Sequence, residues 1–326
     1  MLLLASFTGI WGISFLLWAY NLLLAEAVAQ RGSWLKCAAA LPLFSILGFV
    51  DFAPQYRDRI GVGVIQSGSN VLSMYRKLDQ AALLSSKADK FGFVVWPEFS
   101  GLSFVRNGNL RKLKDLGRLA GSPAFVTSYQ DILRPLPHNT ATLFSEAGAS
   151  QSYFKRKLFG NEKFMHTPGD RPVAVPFAGT EVGFNICFDS CYPSIIRDTV
   201  NEGAEIIALP TIDPDAPYGW FAAQHAAFTP IRAAENGVSI VRADGIAFST
   251  IADPDGRILA QLSEVADEQV TAAVPTRGHW TLYRWAGDWF LYACGAWLLY
   301  VFTGCALKRL RPRGLGRKQA EPRFPD

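Results

Sequence analysis

The stretch "GFNICFDSCYPSIIRD", residues 183–198, contains the junction on which the fold of this chain depends. An apolar segment rich in strand-forming residues ends at Cys187, and an amphipathic helical pattern starts soon afterwards. A cysteine between a buried strand and a helix lies near backbone N–H groups and the positive end of the helix dipole, which both stabilise a thiolate. Cys187 is therefore a candidate nucleophile, although cysteine also packs as a small buried hydrophobe.

The second cysteine of this stretch, Cys191, is predicted to pack within the following helix. A disulfide between the two is disfavoured, because helical residues four apart have Cβ atoms about 5–6 Å apart, whereas a disulfide needs about 3.5–4.5 Å. Zinc sites use about four ligands, and the four histidines, at 138, 166, 225 and 279, form no set with ligand spacing. We therefore predict neither a metal nor a cofactor.

Outward from this junction, short apolar segments rich in β-branched residues alternate with helical patterns. Strands are predicted at 60–66, 91–97, 124–129, 181–188, 205–210 and 238–243, and helices near 71–90, 194–202 and 221–236. The stretches 139–148 and 247–262 predict hairpins, the second turning at Asp255-Gly256. Apolar strands separated by helices indicate sheets covered by helices. The predicted fold class is α/β, a layered sandwich over residues 54–282.

Two charged residues beside predicted strands are candidates for chemistry. Glu98 follows "VVWP", where desolvation beside an indole would raise its pKa, as suits a general base; an ordinary surface carboxylate is the alternative. Lys155 lies in "SYFKRKLFG", where alternation predicts a strand. It could point into a site and supply a positive charge to a developing oxyanion. A solvated basic face is the alternative, and for Lys157 it is the favoured interpretation.

The composition separates this middle segment from two apolar ends. Of the 326 residues, 49% are hydrophobic and 18% are charged, which indicates a protein that is part membrane and part water-soluble. About 20 apolar residues cross a bilayer, and Leu2–Ala25 carries no charge; a signal peptide, the alternative here, would have a basic start. Further apolar runs follow at 35–52 and 289–307. We predict two transmembrane helices in residues 1–53 and one in 283–307.

Basic residues set the predicted orientation. Arg31 and Lys36 lie between the first two apolar runs, and a basic tail fills residues 308–326. The positive-inside rule assigns both to the cytoplasm, so that residues 54–282 lie outside it, on the periplasmic side in a bacterium. A nucleic-acid-binding role for the tail is disfavoured because the tail adjoins a predicted span.

Glu98, Lys155 and Cys187, in this order, resemble the Glu-Lys-Cys triad of the nitrilase (carbon–nitrogen hydrolase) superfamily. The resemblance covers residues 58–275 and includes "GAEIIALP", "QHAAFTPIRAAENGVSIVRAD" and "ADPDGRI". It implies a nitrilase-type αββα sandwich, here flanked by transmembrane helices. It also implies that Glu98 is the general base, that Lys155 holds the oxyanion and that Cys187 is the nucleophile.

The apolar ends make the chain similar to one branch of this superfamily, the bacterial apolipoprotein N-acyltransferases, with a shortened N-terminal membrane region. That branch moves an acyl chain from a phospholipid, through a cysteine thioester, to the amino group of a lipoprotein. The resemblance implies supporting roles for Glu162, which matches a further glutamate of the branch, and for Phe188 and Asp189, where the branch usually has Tyr and Glu. The loop "TIDPDAPYGW", residues 211–220, matches its counterpart only loosely.

The resemblance predicts a membrane-bound acyltransferase of the bacterial inner (cytoplasmic) membrane with a periplasmic catalytic domain. Its expected partners are the membrane, a phospholipid acyl donor and a lipoprotein or other amine acceptor, and no nucleic acid is expected. The triad does not separate transfer to an amine from hydrolysis, so a membrane-tethered amidase acting on a small amide is the alternative. A non-catalytic lipoprotein-binding module is a third, disfavoured because all three triad residues are present.

Overall fold

Two β-sheets lie face to face in the computed structural model, which describes residues 2–29, 56, 58–67, 92–99, 124–131, 137–214, 219–263 and 267–310. The strands of the first sheet are β1 (Arg59–Ser67), β2 (Phe93–Val95), β3 (Ala124–Asp131), β4 (His138–Ser145), β5 (Gly148–Ala149), β6 (Tyr153–Phe154) and β13 (Asp267–Pro275). Those of the second are β7 (Ala174–Phe177), β8 (Thr180–Phe184), β9 (Ile206–Thr211), β10 (Ser239–Asp244), β11 (Ser249–Ala252) and β12 (Ile258–Leu262).

The strand order combines parallel centres with antiparallel edges. It is β13-β1-β2-β3-β4-β5 in the first sheet, with β6 paired to β4, and β12-β11-β10-β9-β8-β7 in the second. The pairs β1–β2, β2–β3, β8–β9 and β9–β10 are parallel. Because parallel strands end at the same edge of a sheet, the residues that follow β8, β9 and β10 come together there.

The described residues also form seven α-helices. They are α1 (Leu2–Thr8), α2 (Ile10–Ala29), α3 (Glu162–Met165), α4 (Pro193–Asn201), α5 (Gly219–Asn236), α6 (Leu282–Ala286) and α7 (Trp289–Leu310). Helices α4 and α5 cover the outer face of the second sheet. The helix predicted near 71–90 lies outside the described residues.

Alternation along β9 shows how one strand serves two layers. Ile206 and Ala208 join the core between the two sheets, whereas Ile207 and Leu209 join a second core with residues of α4 and α5. Successive side chains of a strand point to opposite faces, so a continuous apolar run is buried on both sides. The predicted α/β class, its strands and both hairpins are confirmed, with turns at residues 146–147 and 253–257.

Two local predictions around the candidate site are wrong. The segment around Lys155 is not an extended strand, because β6 is only Tyr153–Phe154 and a turn follows. The strand before Cys187 ends at Phe184, and Cys187–Cys191 forms a 3₁₀ turn, called the cysteine turn below, before α4 begins at Pro193. Cys191 therefore lies in this turn rather than in the helix, and both cysteines are free thiols.

The first predicted transmembrane helix is not one helix. The chain bends by 117° between α1 and α2, at Gly9. Gly9 has a φ of +66°, which glycine adopts without strain, and a Cβ atom there would collide with the ring of Tyr283. The backbone N–H of Ile10 donates to the buried Glu235 carboxylate at 2.8 Å, which satisfies an amide that the first turn of α2 leaves open. Contacts with the sandwich thus override the apolar continuity of the sequence.

The other two predicted transmembrane spans can be compared with the described helices. No single helix within the described ranges is both long and apolar enough to cross a membrane, although α1 and Ile10–Glu26 meet that requirement when taken together. The apolar part of α7, Trp289–Cys305, is shorter than the requirement. The predicted span at 35–52 and the end of the basic tail, residues 311–326, lie outside the described residues.

Candidate active site

Cys187 begins the cysteine turn in a conformation that side-chain-bearing residues rarely adopt. Its φ is +47°, in the left-handed region, where strain commonly marks functional positions. The side chain is buried, and the sulfur lies 3.8 Å from the carbonyl oxygen of Ile212, after β9. Burial raises the pKa of the thiol well above its usual range; the negative charge of Glu98 adds to this and the positive charge of Lys155 opposes it. The resting cysteine is therefore a thiol that needs a base.

Glu98 reaches the site from the first sheet. It follows β2, and its backbone N–H donates to the carbonyl oxygen of Thr211 in the second sheet at 3.1 Å, so it lies where the two sheets meet. Its side chain is 1% exposed, and Oε1 accepts from Asn139 at 2.6 Å and from Lys155 at 2.8 Å. Burial raises its pKa, against the opposing charge of Lys155. A raised pKa makes the carboxylate a stronger base.

Lys155 lies between two carboxylates. Nζ donates to Glu98 Oε1 at 2.8 Å and to Glu162 Oε2 at 2.7 Å, and the side chain is 1% exposed. Burial by itself lowers the pKa of Lys155, but the negative charges of Glu98 and Glu162 outweigh burial and raise it, so the ammonium form is the stable one. An ammonium group has three N–H bonds. The two carboxylates account for two, and the third can donate to a substrate oxygen.

Glu162 is the first residue of α3 and organises the segment that follows Lys155. Its Oε2 also accepts the backbone N–H of Phe159 at 2.8 Å, and its Oε1 accepts from Asn139 at 3.0 Å. Asn139 therefore bridges Glu98 and Glu162 from β4. Asn139 is not among the residues predicted from the sequence, because a lone asparagine in a strand belongs to no motif.

The Asp189 carboxylate stabilises the cysteine turn through hydrogen bonds. Its carboxylate is fully buried and accepts three bonds, from the Tyr153 hydroxyl at 2.7 Å and from the backbone N–H groups of Ile186 at 3.0 Å and Lys157 at 2.8 Å. Burial raises its pKa, and these bonds oppose the rise. The bonds tie the residue before Cys187 to the segment that carries Lys155. Asp189 thus fixes Cys187 relative to the segment that carries Lys155.

Replacing Asp189 with Asn is expected to lower the free energy of unfolding by about 1–3 kcal/mol. All three partners donate, so the amide NH₂ of Asn has no acceptor where a carboxylate oxygen was. Urea unfolding of Asp189→Asn measures the loss. Asp198→Asn is the matched control, because the carboxylate of Asp198 forms a partly exposed ion pair with Arg156 at 3.0 Å, worth less than about 1 kcal/mol. Equal losses in the two variants would contradict this role for Asp189.

A second polar network also contacts the cysteine turn. His225, on α5, lies 2.7 Å from Asp213 through Nδ1, and Arg242 donates to Asp213 at 2.5 Å and to Asp244 at 2.7 Å. All four side chains are buried. In the sequence His225 is only one of four scattered histidines, and Asp213 is not a candidate. Asp213 lies in "TIDPD" and His225 in "QHAAF", and no motif with a fixed spacing marks either segment.

This network bears on metal binding. The ligand atoms of Cys187, Asp213 and His225 lie within 4.8 Å of one another. Arg242 already pairs with Asp213, and the positive charge of Lys155 acts on Cys187. A further cation would be repelled by both, so these residues fit a hydrogen-bonded network better than a metal centre.

A row of five aromatic side chains, called the aromatic row below, starts beside Cys187. The aromatic row consists of Phe188, Tyr192, Phe159, Phe221 and Trp220. Phe188 follows Cys187 directly, and its ring centroid lies 4.9 Å from that of Phe159 and 5.4 Å from that of Tyr192. Phe159 continues to Phe221 at 6.0 Å, and Phe221 to Trp220 at 6.1 Å. Phe188 is half-buried, whereas Trp220 is 66% exposed, so the row runs from the cysteine turn to the surface.

Two facing sheets hold a buried cysteine near an acid and a lysine, an arrangement that an α/β enzyme with a thiol nucleophile would use. The carbon-nitrogen hydrolase family matches residues 62–280, and the chain belongs to this family. The chain is 35% identical to a nitrilase of Pyrococcus abyssi over 66% of this chain and 89% of that protein. It is 25% identical to the apolipoprotein N-acyltransferase of Geobacter metallireducens over 90% of this chain and 65% of that protein.

Solved structures agree with the fold. The crystal structure of an amidase from Nesterenkonia sp. is similar with a TM-score of 0.60 and 20% identity, over 74% of this chain and 98% of that one. At this identity the likeness establishes the fold alone. The nitrilase-type α/β sandwich expected from the sequence is therefore confirmed for the described residues.

Proposed function

We propose that this protein is a membrane-bound acyltransferase that moves an acyl chain, through a thioester on Cys187, to an amine. The observation that carries the proposal is the aromatic row, which joins the candidate nucleophile to the surface through contiguous apolar side chains. Apolar patches of this kind mark sites for apolar ligands or membranes. A long acyl chain has the length and apolar character to lie along such a row. A small amide uses neither property.

Exposed apolar residues beyond the row support a membrane setting. Phe164 and Met165 on α3, next to Glu162, are 83% and 52% exposed. Helices α2 and α7 also expose large apolar side chains; examples are Trp18, Leu22, Tyr292, Leu299 and Phe302. In water this exposure is unfavourable by about 25 cal/mol per Å² of apolar surface. We therefore propose that α2, the predicted span at 35–52 and residues 289–307 lie in the inner membrane, with the tail 308–326 in the cytoplasm and residues 54–282 on the periplasmic side, while α1 packs on the sandwich.

The first half of the proposed reaction forms the thioester. The Glu98 carboxylate takes the thiol proton of Cys187, and the sulfur attacks the ester carbonyl of a phospholipid. The third N–H of Lys155 and the backbone N–H of Phe188 donate to the oxyanion. The tetrahedral intermediate collapses with cleavage of the C–O bond, and Glu98 returns the proton to the departing lysophospholipid alcohol.

The second half transfers the acyl group. The amine of a lipoprotein or another acceptor attacks the thioester carbonyl and loses a proton to Glu98. The C–S bond breaks, and the cysteine sulfur takes that proton back. An N-acyl amide leaves, and the enzyme returns to its starting state. Glu162, bonded to Lys155, keeps the ammonium group in place through both halves.

The test is an acyl adduct. Purified protein in detergent, incubated with phospholipid, is expected to gain the mass of one acyl chain, which hydroxylamine removes because it cleaves thioesters. Intact-protein mass spectrometry before and after hydroxylamine measures it. Replacing the exposed Trp220 with Ser is expected to slow adduct formation from a long-chain phospholipid more than from a short-chain one, since the long chain uses more of the row. Equal slowing for both would contradict the role of the row.

A membrane-tethered amidase remains the second candidate. The similarity to a nitrilase at 35% identity favours it, and the same residues would hydrolyse an amide if water attacked the thioester. Ammonia release from small amides, with no adduct from any phospholipid, would decide for the amidase. A non-catalytic lipoprotein-binding module is disfavoured, because the buried Glu98–Lys155 pair near Cys187 costs folding free energy that a binding module would not need.

A further inference from the structure

One more titratable side chain touches the cysteine turn and has no part in the steps above. The His225 ring is 3% exposed. Its Nε2 lies 3.2 Å from the carbonyl oxygen of Cys187 and 2.9 Å from Ser190 Oγ. Its Nδ1 lies 2.7 Å from Asp213 Oδ1. The ring therefore bridges the backbone of the candidate nucleophile and a buried carboxylate.

The neighbours of the ring define its protonation state. The carbonyl oxygen of Cys187, 3.2 Å from Nε2, carries no proton and can only accept, and the Ser190 hydroxyl donates to the same carbonyl at 2.9 Å. Asp213 accepts from Arg242 through Oδ2 at 2.5 Å, and its Oδ1 lies 2.7 Å from Nδ1 and accepts from it. Both ring nitrogens thus face acceptors. A neutral imidazole has one N–H and an imidazolium has two; only the imidazolium satisfies this arrangement.

We propose that His225 is a positioning residue that acts as a buried imidazolium, holding the carbonyl of Cys187 and supplying positive charge beside its sulfur. The inference rests on the proposed role of Cys187 as nucleophile. Burial by itself lowers the pKa of His225, but its bonds to Asp213 and Cys191 outweigh burial and raise the pKa to about 9. The ring therefore carries its charge at neutral pH.

The first effect of His225 is on the backbone. Cys187 has a φ of +47°, which is unfavourable for a residue with a Cβ atom. Its carbonyl oxygen accepts from both Ser190 and His225. These two donors favour the left-handed conformation that starts the cysteine turn.

The second effect is electrostatic. The negative charge of Asp213 raises the pKa of Cys187 and so opposes the thiolate. An imidazolium bonded to Asp213 offsets that charge. The titratable and charged groups around the ring are Asp213 from the loop after β9, Arg242 from β10, and Cys187 and Cys191 from the cysteine turn; Asp244 pairs with Arg242. Without the imidazolium, Arg242 would be the one remaining positive group among these to offset the charge of Asp213.

His225→Gln tests the charge. Glutamine keeps an amide donor for the cysteine turn but carries no charge. Iodoacetamide alkylates the thiolate, and tandem mass spectrometry separates Cys187 from Cys191 in the same peptide. Near neutral pH we expect Cys187 in His225→Gln to react about tenfold more slowly than in the unmodified protein, the change for one unit of pKa. His279→Gln is the control, because His279 bonds to Tyr56, outside the site, and its alkylation rate should stay unchanged. An unchanged rate in His225→Gln would overturn the proposal.

A second measurement needs no variant at position 225. In protein labelled with ¹⁵N-histidine, the four histidines give few signals, and replacing His138, His166 and His279 one at a time assigns them. We expect both ring nitrogens of His225 to be protonated at neutral pH and one to lose its proton near pH 9. A neutral His225 ring at neutral pH would overturn the proposal even if His225→Gln failed to fold. Neither readout uses a lipid, so failure of acyl transfer would leave both results interpretable.

Discussion

Replacing Cys187 with Ala is expected to abolish the hydroxylamine-sensitive acyl adduct and all product formation. In the proposed mechanism the sulfur of Cys187 is the atom that bonds to the acyl group, and the variant has no sulfur at this position. The change removes one buried sulfur and leaves the contacts of Glu98 and Lys155 in place. Intact mass and turnover of a fluorescent phospholipid measure the two losses. A circular dichroism melt of the variant shows whether the fold is retained.

Cys191→Ala is the matched control for this change. Cys191 is a free thiol four residues away in the same turn, so the variant loses a sulfur from the same element. The adduct and turnover should persist, with a modest reduction if the contact between Cys191 and His225 contributes. An adduct that survives Cys187→Ala and disappears in Cys191→Ala would show that the nucleophile is Cys191.

Replacing Glu98 with Gln is expected to slow adduct formation by about 10²–10⁴-fold, the usual contribution of a positioned general base. The thiol of Cys187 has a raised pKa, so it needs a base, and the amide that replaces the carboxylate would supply none. The size of the side chain is kept, so binding of the phospholipid should change little. Single-turnover kinetics at saturating phospholipid separates the rate of the chemical step from binding.

The pH dependence of the activity is an independent test of the proposed role of Glu98 as general base. The base is active when deprotonated, and burial raises its pKa. Activity of the unmodified protein should therefore fall as the pH drops through that raised pKa, and the residual activity of Glu98→Gln should lack this fall. Glu205→Gln is the control, since Glu205 precedes β9, at the opposite end from Asp213, and contacts Thr180. A loss in Glu205→Gln as large as that in Glu98→Gln would contradict the assignment.

Much of the fold could be predicted from the sequence because the information is local. The continuous apolar run at 205–210 is a strand buried on both faces, and turn residues such as Asp255-Gly256 mark a hairpin. Glu98, Lys155 and Cys187 were chosen from local patterns and from the order in which they occur, and their catalytic roles stay a prediction. The ammonium of Lys155 and the carboxylate of Glu98 do meet, at 2.8 Å.

The membrane-like N-terminus shows where local information fails. The apolar run at 2–25 predicts one straight helix, but the chain bends at Gly9, where Ile10 bonds to Glu235, a residue 225 positions away. A hydropathy pattern records only which side chains avoid water. It does not record a carboxylate that the fold brings to a helix end.

The sequence alone therefore determined the strands, the hairpins and the family. Tertiary structure decided the rest of the site. The left-handed backbone of Cys187, the bridge that Asn139 makes between Glu98 and Glu162, and the contact of His225 with the carbonyl of Cys187 all join distant segments. The physical reason is that a hydrogen bond depends on distance in space, and His225 and Cys187, 38 residues apart, come within that distance only when α5 packs on the second sheet.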